Sequence, residues 1–159
     1  MAIPLRDTWF TRLKRWLLPR LGSTDHIGRL AEDAACRMLR EKGWTIRHRN
    51  ARTPKGEADI IADAPAGADG GGVVHVIIEV KSRVRKVGGP ARSNATSPLA
   101  SITHEKRERL AAIAKHLMRA NKWPRAATRI DVIAIELEVD EKQRPHVKSA
   151  EHLEGAIAV

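Results

Sequence analysis

Apolar positions follow helical spacing in three segments of the chain, residues 1–22, 23–43 and 103–121. In each segment leucine, isoleucine, alanine or an aromatic residue recurs every three or four residues, which places the apolar side chains on one side of a helix. Ser23, Thr24 and Asp25 at the start of the second segment are N-cap candidates, and Gly43 stands at its end. Thr103 is in position to cap the third. The pattern therefore predicts three amphipathic helices.

Strand-like apolar runs fill much of the remaining chain. They occupy residues 44–50, 57–63, 73–82 and 129–138, with a short strand at 146–148. The glycine-rich residues 64–72 and the polar residues 83–96 are predicted to be loops. Residues 151–157 are predicted to add one or two helical turns. After the first helix, the order helix, strand, strand, strand, helix, strand indicates an α/β sandwich with a mixed sheet.

Length and composition limit the classes of protein that remain. A chain of 159 residues fits one domain, which excludes a multidomain enzyme. No apolar run approaches the ~20 residues that a membrane-spanning helix needs. Cys36 is the single cysteine, so an internal disulfide and a cysteine-rich zinc site are both excluded, and a cytoplasmic location is expected. The histidines show no metal-binding spacing.

Residues 1–22 are predicted to form a basic amphipathic extension to a single domain at residues 23–159. Charges interrupt each apolar stretch, so the segment is not a signal peptide. A helix of this kind can cover its own domain. Through residues 8–19 it can also bind a protein partner or lie on an anionic membrane surface. The sequence leaves these three roles open.

The net charge of +10 is concentrated in one part of the chain. Residues 81–125 hold twelve lysines and arginines against Glu105 and Glu108, which gives +10 there, and the other residues sum to zero. Dense basic segments bind polyanions, because each neutralised phosphate releases a counterion. We therefore expect nucleic acid as a partner, the alternative being a solvated basic surface. Sequence preference is expected to be slight.

Charged residues inside two aliphatic strands are the candidate chemistry. Asp59 stands among alanine and isoleucine, and Glu79 and Lys81 emerge on one face at the end of a strand. Buried charges cost free energy unless they are paired or bind a metal. If the two strands pair in an antiparallel hairpin, Asp59 and Glu79 can lie within the span of one Mg²⁺ ion. By spacing alone, an ion pair at the edge of a sheet explains Glu79 and Lys81 equally well.

Four segments in order carry a family resemblance. They are GEADII at 56–61, IIEVKSR at 77–83, SITHEKRERLAAIAKHL at 101–117 and RIDVIAI at 129–135. Together they resemble the bacterial YraN family, which is similar to the PD-(D/E)xK nucleases of the restriction-endonuclease-like superfamily and to Holliday-junction resolvases. The resemblance implies an αβββαβ core with a mixed central sheet flanked by helices, to which residues 1–22 add an N-terminal helix.

The resemblance also implies the roles of individual residues. Asp59 and Glu79 would hold Mg²⁺ or Mn²⁺, with Glu32 as a third carboxylate, and Lys81 would be the motif lysine. Lys106 matches the helical lysine of the pattern, and the helical wheel places it on the inward side of its helix. Glu57, in the G-E-x-D signature, would support the site.

These implications lead to an expected function and to an alternative. The expected function is metal-dependent hydrolysis of phosphodiester bonds in structured or branched DNA, and the alternative is a nucleic-acid-binding scaffold on the same fold with little or no turnover. A homodimer would supply two sites for two strands, and the oligomeric state stays open. The residues expected to contact nucleic acid are Arg83, Arg85, Lys86, Arg92, Arg107 and Arg109.

Overall fold

The structure is a computed structural model that describes residues 24–66, 72–86, 102–142 and 144–159. The predicted helix within residues 1–22 lies outside this range. So do Arg92 and the side chain of Lys86. None of the described helices has the length and apolarity required to cross a membrane.

Two helices and five strands make up the described chain. In order they are α1 (Thr24–Glu41), β1 (Thr45–Thr53), β2 (Gly56–Ala64), β3 (Val74–Lys86), α2 (His104–Asn121), β4 (Thr128–Val139) and β5 (Pro145–Ile157). The predicted start of α2 is confirmed by its cap, since Thr103 Oγ1 accepts a hydrogen bond from Lys106 N at 3.2 Å. Gly43, which follows α1, has a φ of 81°, as its predicted role at the helix end requires.

The five strands form one mixed sheet in the order β1-β2-β3-β4-β5. β3 and β4 are parallel, because α2 carries the chain from the end of one to the start of the other, and the remaining neighbours are antiparallel. α1 packs on one face of the sheet and α2 on the other. The structure thus has the predicted α/β architecture, consistent with a restriction-endonuclease-like core.

Each face of the sheet has its own apolar core. On the α1 side, Leu39 and Trp44 pack against alternate residues of β2, β3 and β4, including Ile60 and Ile78. On the α2 side, Leu110 and Ile113 pack against a second set that includes Ile77. Successive residues of β3 are buried on opposite faces of the sheet, so the sequence of the strand is a continuous aliphatic run. Glu79 lies at the end of this run and is buried with it.

The C-terminal tail departs from the prediction, and the expected helical turns at residues 151–157 are wrong. The tail is instead the second half of β5, which pairs antiparallel with β4 along most of its length. The buried carboxylate of Asp131 on β4 fixes it there by accepting hydrogen bonds from Gly155 N and from the ring of His152, both at 2.8 Å. Tertiary pairing thus overrides the local pattern.

Candidate functional site

Asp59 and Glu79 meet where β2 and β3 diverge. The two strands pair from Ala64 and Val74 as far as Ile60 and Ile78, and Asp59 and Glu79 follow directly beyond the last pair. The amide of Val80 donates a hydrogen bond to Asp59 Oδ2 at 2.8 Å, so a carboxylate takes the place of a strand partner. The end of the ladder therefore opens a gap between the strands, and both acidic side chains lie beside it.

The turn between β1 and β2 positions Asp59 beside this gap. Thr53 Oγ1 donates to the carbonyl of Gly56 at 2.8 Å and tightens the turn. Gly56 has a φ of 134°, and a Cβ atom there would come within 3.2 Å of Arg109 Cδ on α2. Only glycine accommodates both constraints. The glycine of the G-E-x-D signature therefore brings the hairpin onto α2 and places Asp59 three residues later.

The carboxylate of Glu79 is completely buried between two lysines. Lys81 Nζ lies 3.2 Å from Oε1, and Lys106 Nζ lies 3.0 Å from Oε2. The lysine side chains are themselves 15% and 11% exposed, so water screens these charges only weakly. Neither oxygen of Glu79 has a hydrogen-bond partner within the described part of the chain. The ammonium groups therefore neutralise the carboxylate by charge.

Lys106 reaches Glu79 from the first turn of α2, on the same side of the helix as Leu110 and Ile113. The inward orientation that the helical spacing predicts is confirmed. The alternative interpretation of Lys106, a surface residue at a frayed helix end, is excluded by the 3.0 Å contact with Glu79.

The pKa of Asp59 is raised to about 7, chiefly by burial and next by the negative charge of Glu79. The hydrogen bond from the Val80 amide and the positive charge of Lys106 oppose this rise, and Glu32 adds a weaker upward effect. Asp59 therefore changes charge near neutral pH. A bound cation would favour its ionised form.

The stability of the protein is expected to fall as the pH rises from about 4 to about 7, because Asp59 binds a proton in the folded state over this range and releases it on unfolding. Asp59→Asn removes the titration and keeps an acceptor for Val80 N. At pH 8 the variant should be more stable than the parent by about 2 to 4 kcal/mol, and near pH 4 the difference should disappear. Urea unfolding at both pH values measures this.

Asp33→Asn is the matched control, since it removes an exposed carboxylate from α1. Its effect should stay within about 0.5 kcal/mol at either pH. An Asp59→Asn variant less stable than the parent at pH 8 would show that the ionised carboxylate stabilises the fold.

Comparison with known proteins agrees with the motifs from which the site is built. A family model described as "Uncharacterised protein family UPF0102" matches residues 31–135, which include Asp59, Glu79 and both lysines. The chain belongs to the UPF0102 family. The resemblance to YraN proteins inferred from the four sequence segments is thereby confirmed.

Bacterial relatives extend the match over most of the chain. A UPF0102 protein of Koribacter versatilis is 35% identical over 150 residues, which cover 91% of this chain and 93% of the relative. One from Desulfitobacterium hafniense is 34% identical over 124 residues, covering 76% and 89%. One from Magnetococcus marinus is 37% identical over 110 residues, covering 69% and 77%. These names give the family alone, so activity must be argued from the site.

The other acidic residues implied by the UPF0102 resemblance lie outside the Asp59–Glu79 pair. Glu32 accepts a hydrogen bond from Asn50 Nδ2 at 3.0 Å and lies 3.7 Å from Arg49 Nη2. Glu57 is exposed and pairs with Arg52 at 3.6 Å. Within the residues the structure describes, no group of three or more His, Cys, Asp and Glu side chains is arranged to hold a metal ion. The third-carboxylate role of Glu32 stays a prediction.

Asp59 and Glu79 nevertheless have the chemistry that a hard divalent cation requires. Both are carboxylates, and the buried oxygens of Glu79 lack hydrogen-bond partners among the described residues. Mg²⁺ is commonly bound by one or two carboxylates together with water and substrate phosphate, so two ligands from this UPF0102 site are sufficient. The residues present therefore fit a magnesium or manganese ion.

The expected nucleic-acid contacts lie in different surroundings. By strand alternation Arg83 and Arg85 continue the face of β3 that carries Glu79 and Lys81. Arg83 is exposed, whereas Arg85 pairs with Glu136 at 2.8 Å. On α2, Arg107 is exposed, and Arg109 pairs with Glu105 at 2.8 Å while packing beside Gly56. These arginines, on β3 and on the first turns of α2, stand on the elements that supply the two lysines.

Sequence reasoning missed a second buried carboxylate, Asp131, on the opposite face of the sheet. Besides Gly155 and His152, it binds the guanidinium of Arg129, whose Nε lies 3.0 Å from Oδ1. The same guanidinium lies over the ring of Trp44, 5.4 Å from its centroid. Asp131 is flanked by Ile130 and Val132, so the signal that identified Asp59, an acid within an aliphatic strand, was also present here.

Another cluster of polar side chains, centred on Asp63, lies at the other end of the β2–β3 ladder. His75 Nδ1 is 2.8 Å from Asp63 Oδ1, and the imidazole stacks on Trp123 with 4.3 Å between ring centroids. Arg47 Nε donates to the second oxygen of Asp63 at 2.6 Å. Asp63 is thus satisfied on both oxygens, and the group ties β1, β2 and β3 to the segment that follows α2.

Proposed function

We propose that this UPF0102 protein is a metal-dependent endonuclease that hydrolyses phosphodiester bonds in structured or branched DNA. The observation that supports this most strongly is the buried Glu79 carboxylate, whose oxygens lack hydrogen-bond partners among the described residues while Lys81 and Lys106 lie at contact distance. An apolar side chain would fill the same space without desolvating three charges. The retention of such a group beside Asp59 favours chemistry over packing.

Asp59 and Glu79 would hold a Mg²⁺ or Mn²⁺ ion, with Glu32 near enough to influence Asp59 electrostatically. When bound, such an ion supplies Lewis-acid polarisation of the phosphate and a water molecule of lowered pKa. Glu79 would orient the ion because its carboxylate is fixed between two lysines. Asp59, held by Val80 N through Oδ2, would present Oδ1.

The two lysines would act on the phosphate and on the nucleophile. Lys81, on the same face of β3 as Glu79, would orient the attacking water and offset the charge that develops on the phosphate. Lys106 would approach from α2 and contact a non-bridging phosphate oxygen. Both ammonium groups already lie close to Glu79, so neither has to enter from another part of the fold.

The direct test is cleavage of single-stranded, duplex, flap and four-way DNA by the full chain with Mg²⁺ or Mn²⁺. We expect cleavage that depends on the added ion and that Asp59→Ala and Glu79→Ala both abolish. His104→Ala, which changes an exposed residue of α2, is expected to cleave like the parent. Cleavage that persists in both carboxylate variants would come from a contaminant and would overturn the assignment. DNA binding without cleavage would favour the scaffold function.

Binding to DNA is expected to weaken steeply with salt. If about four to six of the basic residues contact phosphates, the logarithm of the association constant should fall with the logarithm of salt concentration at a slope of roughly −4 to −5. Arg83→Ala should reduce the magnitude of this slope by about one, because it removes one phosphate contact. Fluorescence anisotropy with Ca²⁺ replacing Mg²⁺ measures the slope.

Arg37→Ala provides the comparison for the salt experiment. Arg37 is also exposed but lies on α1, which packs against the opposite face of the sheet. Its substitution should leave the slope unchanged. A slope near zero for the parent chain would show that the basic residues only solubilise the protein.

A further inference from the structure

Glu79 is held by two lysines that differ in origin. Lys81 belongs to the same strand, two residues along the same face, so its backbone stays beside Glu79 as long as β3 is intact. Lys106 belongs to α2 and reaches across to the sheet. Of the two, Lys106 is the one that contacts Glu79 from a different element of the fold.

The position of Lys106 is unfavourable for α2 on its own. A positive charge in the first turn opposes the helix dipole, and burial of the ammonium group adds to this cost in free energy. The backbone amide of Lys106 is capped by Thr103, so the helix end itself does not need the side chain. The compensation comes from Glu79, 3.0 Å away.

Lys106 also acts on Asp59. Its positive charge opposes the rise in the pKa of Asp59 that burial and Glu79 produce. The ammonium group therefore interacts with both carboxylates, as a cation bound by Asp59 and Glu79 would do. A divalent ion entering while Lys106 remained in place would meet a like charge close by, in surroundings that screen charge poorly.

We propose that Lys106 competes with the divalent cation for Glu79, and that a DNA phosphate relieves this competition by drawing the ammonium group of Lys106 to itself. The inference rests on the proposed nuclease function and adds a way in which DNA regulates metal binding at that site. Without DNA the chain binds the cation weakly, and with DNA the site loads. Lys106 is thus a positioning residue for Glu79 before it contacts substrate.

The test measures Mn²⁺ binding to the full chain by electron paramagnetic resonance of the free ion. Without DNA, Lys106→Met should bind Mn²⁺ about tenfold more tightly than the parent, equivalent to about 1.4 kcal/mol. A phosphorothioate DNA duplex should tighten binding by the parent about tenfold but binding by Lys106→Met less than about threefold. Lys115→Met, an exposed lysine on the same helix, should behave like the parent. Glu79→Gln with DNA gives the background from Mn²⁺ bound to the duplex.

Cleavage provides a second readout. Lys106→Met should keep or raise the thermal stability while reducing cleavage of the four-way substrate at least about tenfold. Lys106→Gln, which retains a polar group without the charge, should show the same gain in Mn²⁺ affinity and serves as the test if the methionine variant fails to fold.

Two results separate this inference from the function on which it rests. If Glu79→Gln binds Mn²⁺ as tightly as the parent without DNA, the ion is not held at this carboxylate and the proposed nuclease site fails. If Glu79→Gln loses Mn²⁺ binding but Lys106→Met binds no more tightly than the parent, the site stands and the competition is wrong. A Lys106→Met variant that responds to DNA as strongly as the parent also overturns the inference.

Discussion

Glu79→Gln is expected to abolish metal-dependent cleavage and to lower the free energy of unfolding by about 3 kcal/mol. The amide cannot neutralise Lys81 and Lys106, so two ammonium groups would be left in a largely buried site facing each other. Removing one member of a buried cluster of charges destabilises the fold by more than the complete cluster stabilises it, because the remaining charges are left unpaired. Cleavage should fall at least a hundredfold, or about 2.7 kcal/mol of barrier, because the carboxylate that orients the cation is lost.

A double-mutant cycle tests whether the stability loss has this cause. Lys106→Met in the Glu79→Gln background removes one unpaired charge and should recover about 1 to 2 kcal/mol of the loss without restoring cleavage. Glu108→Gln, an exposed glutamate on α2, is the control and should change neither quantity. If Glu79→Gln unfolds at the same urea concentration as the parent, water reaches the lysines and the charges are not buried as a group.

The fold could be predicted to the extent that local pattern and burial agree. α2 begins and ends at the predicted residues because Thr103 caps it and its apolar stripe is regular. β3 is longer than predicted: it continues past Ser82 to Lys86 because β4 pairs with it in parallel along that length, up to Val139. Nothing within a polar, basic segment signals a strand whose hydrogen bonds come from a neighbour far along the chain.

The candidate site was more predictable than the polar groups around it. Asp59 and Glu79 stand out as acids within aliphatic runs, and helical spacing alone places Lys106 inward. The partner of Asp131 could not be found in this way, because His152 lies in a tail whose pattern suggested a helix. Only the pairing of β5 with β4 brings the histidine to the carboxylate. A long-range partner such as this one has no local signature.

The largest loss of stability is expected from Asp131→Ala, at about 3 to 5 kcal/mol. Asp131 is fully buried and accepts from Arg129, His152 and Gly155, and it lies where the register between β4 and β5 shifts. Alanine would leave three donors without this buried acceptor, and the guanidinium of Arg129 would keep only its ion pair with the more exposed Glu154, at 2.9 Å. Asp131→Asn keeps an oxygen for Gly155 N but turns an amide donor toward the other two groups, so it should lose about 2 kcal/mol or more.

Urea unfolding and the part of the near-ultraviolet signal that Trp44→Phe removes together identify the cause of this loss. The Trp44 ring lies edge-on to His152 with 5.2 Å between centroids, so its environment should change when His152 loses its acceptor. Amide hydrogen exchange should accelerate first in β5, because Asp131 fixes this edge strand through Gly155 and His152. Glu151→Ala, an exposed β5 substitution, should leave the stability and the Trp44 signal unchanged. If Asp131→Ala abolished cleavage while the chain stayed as stable as the parent, the carboxylate would serve the reaction rather than the fold.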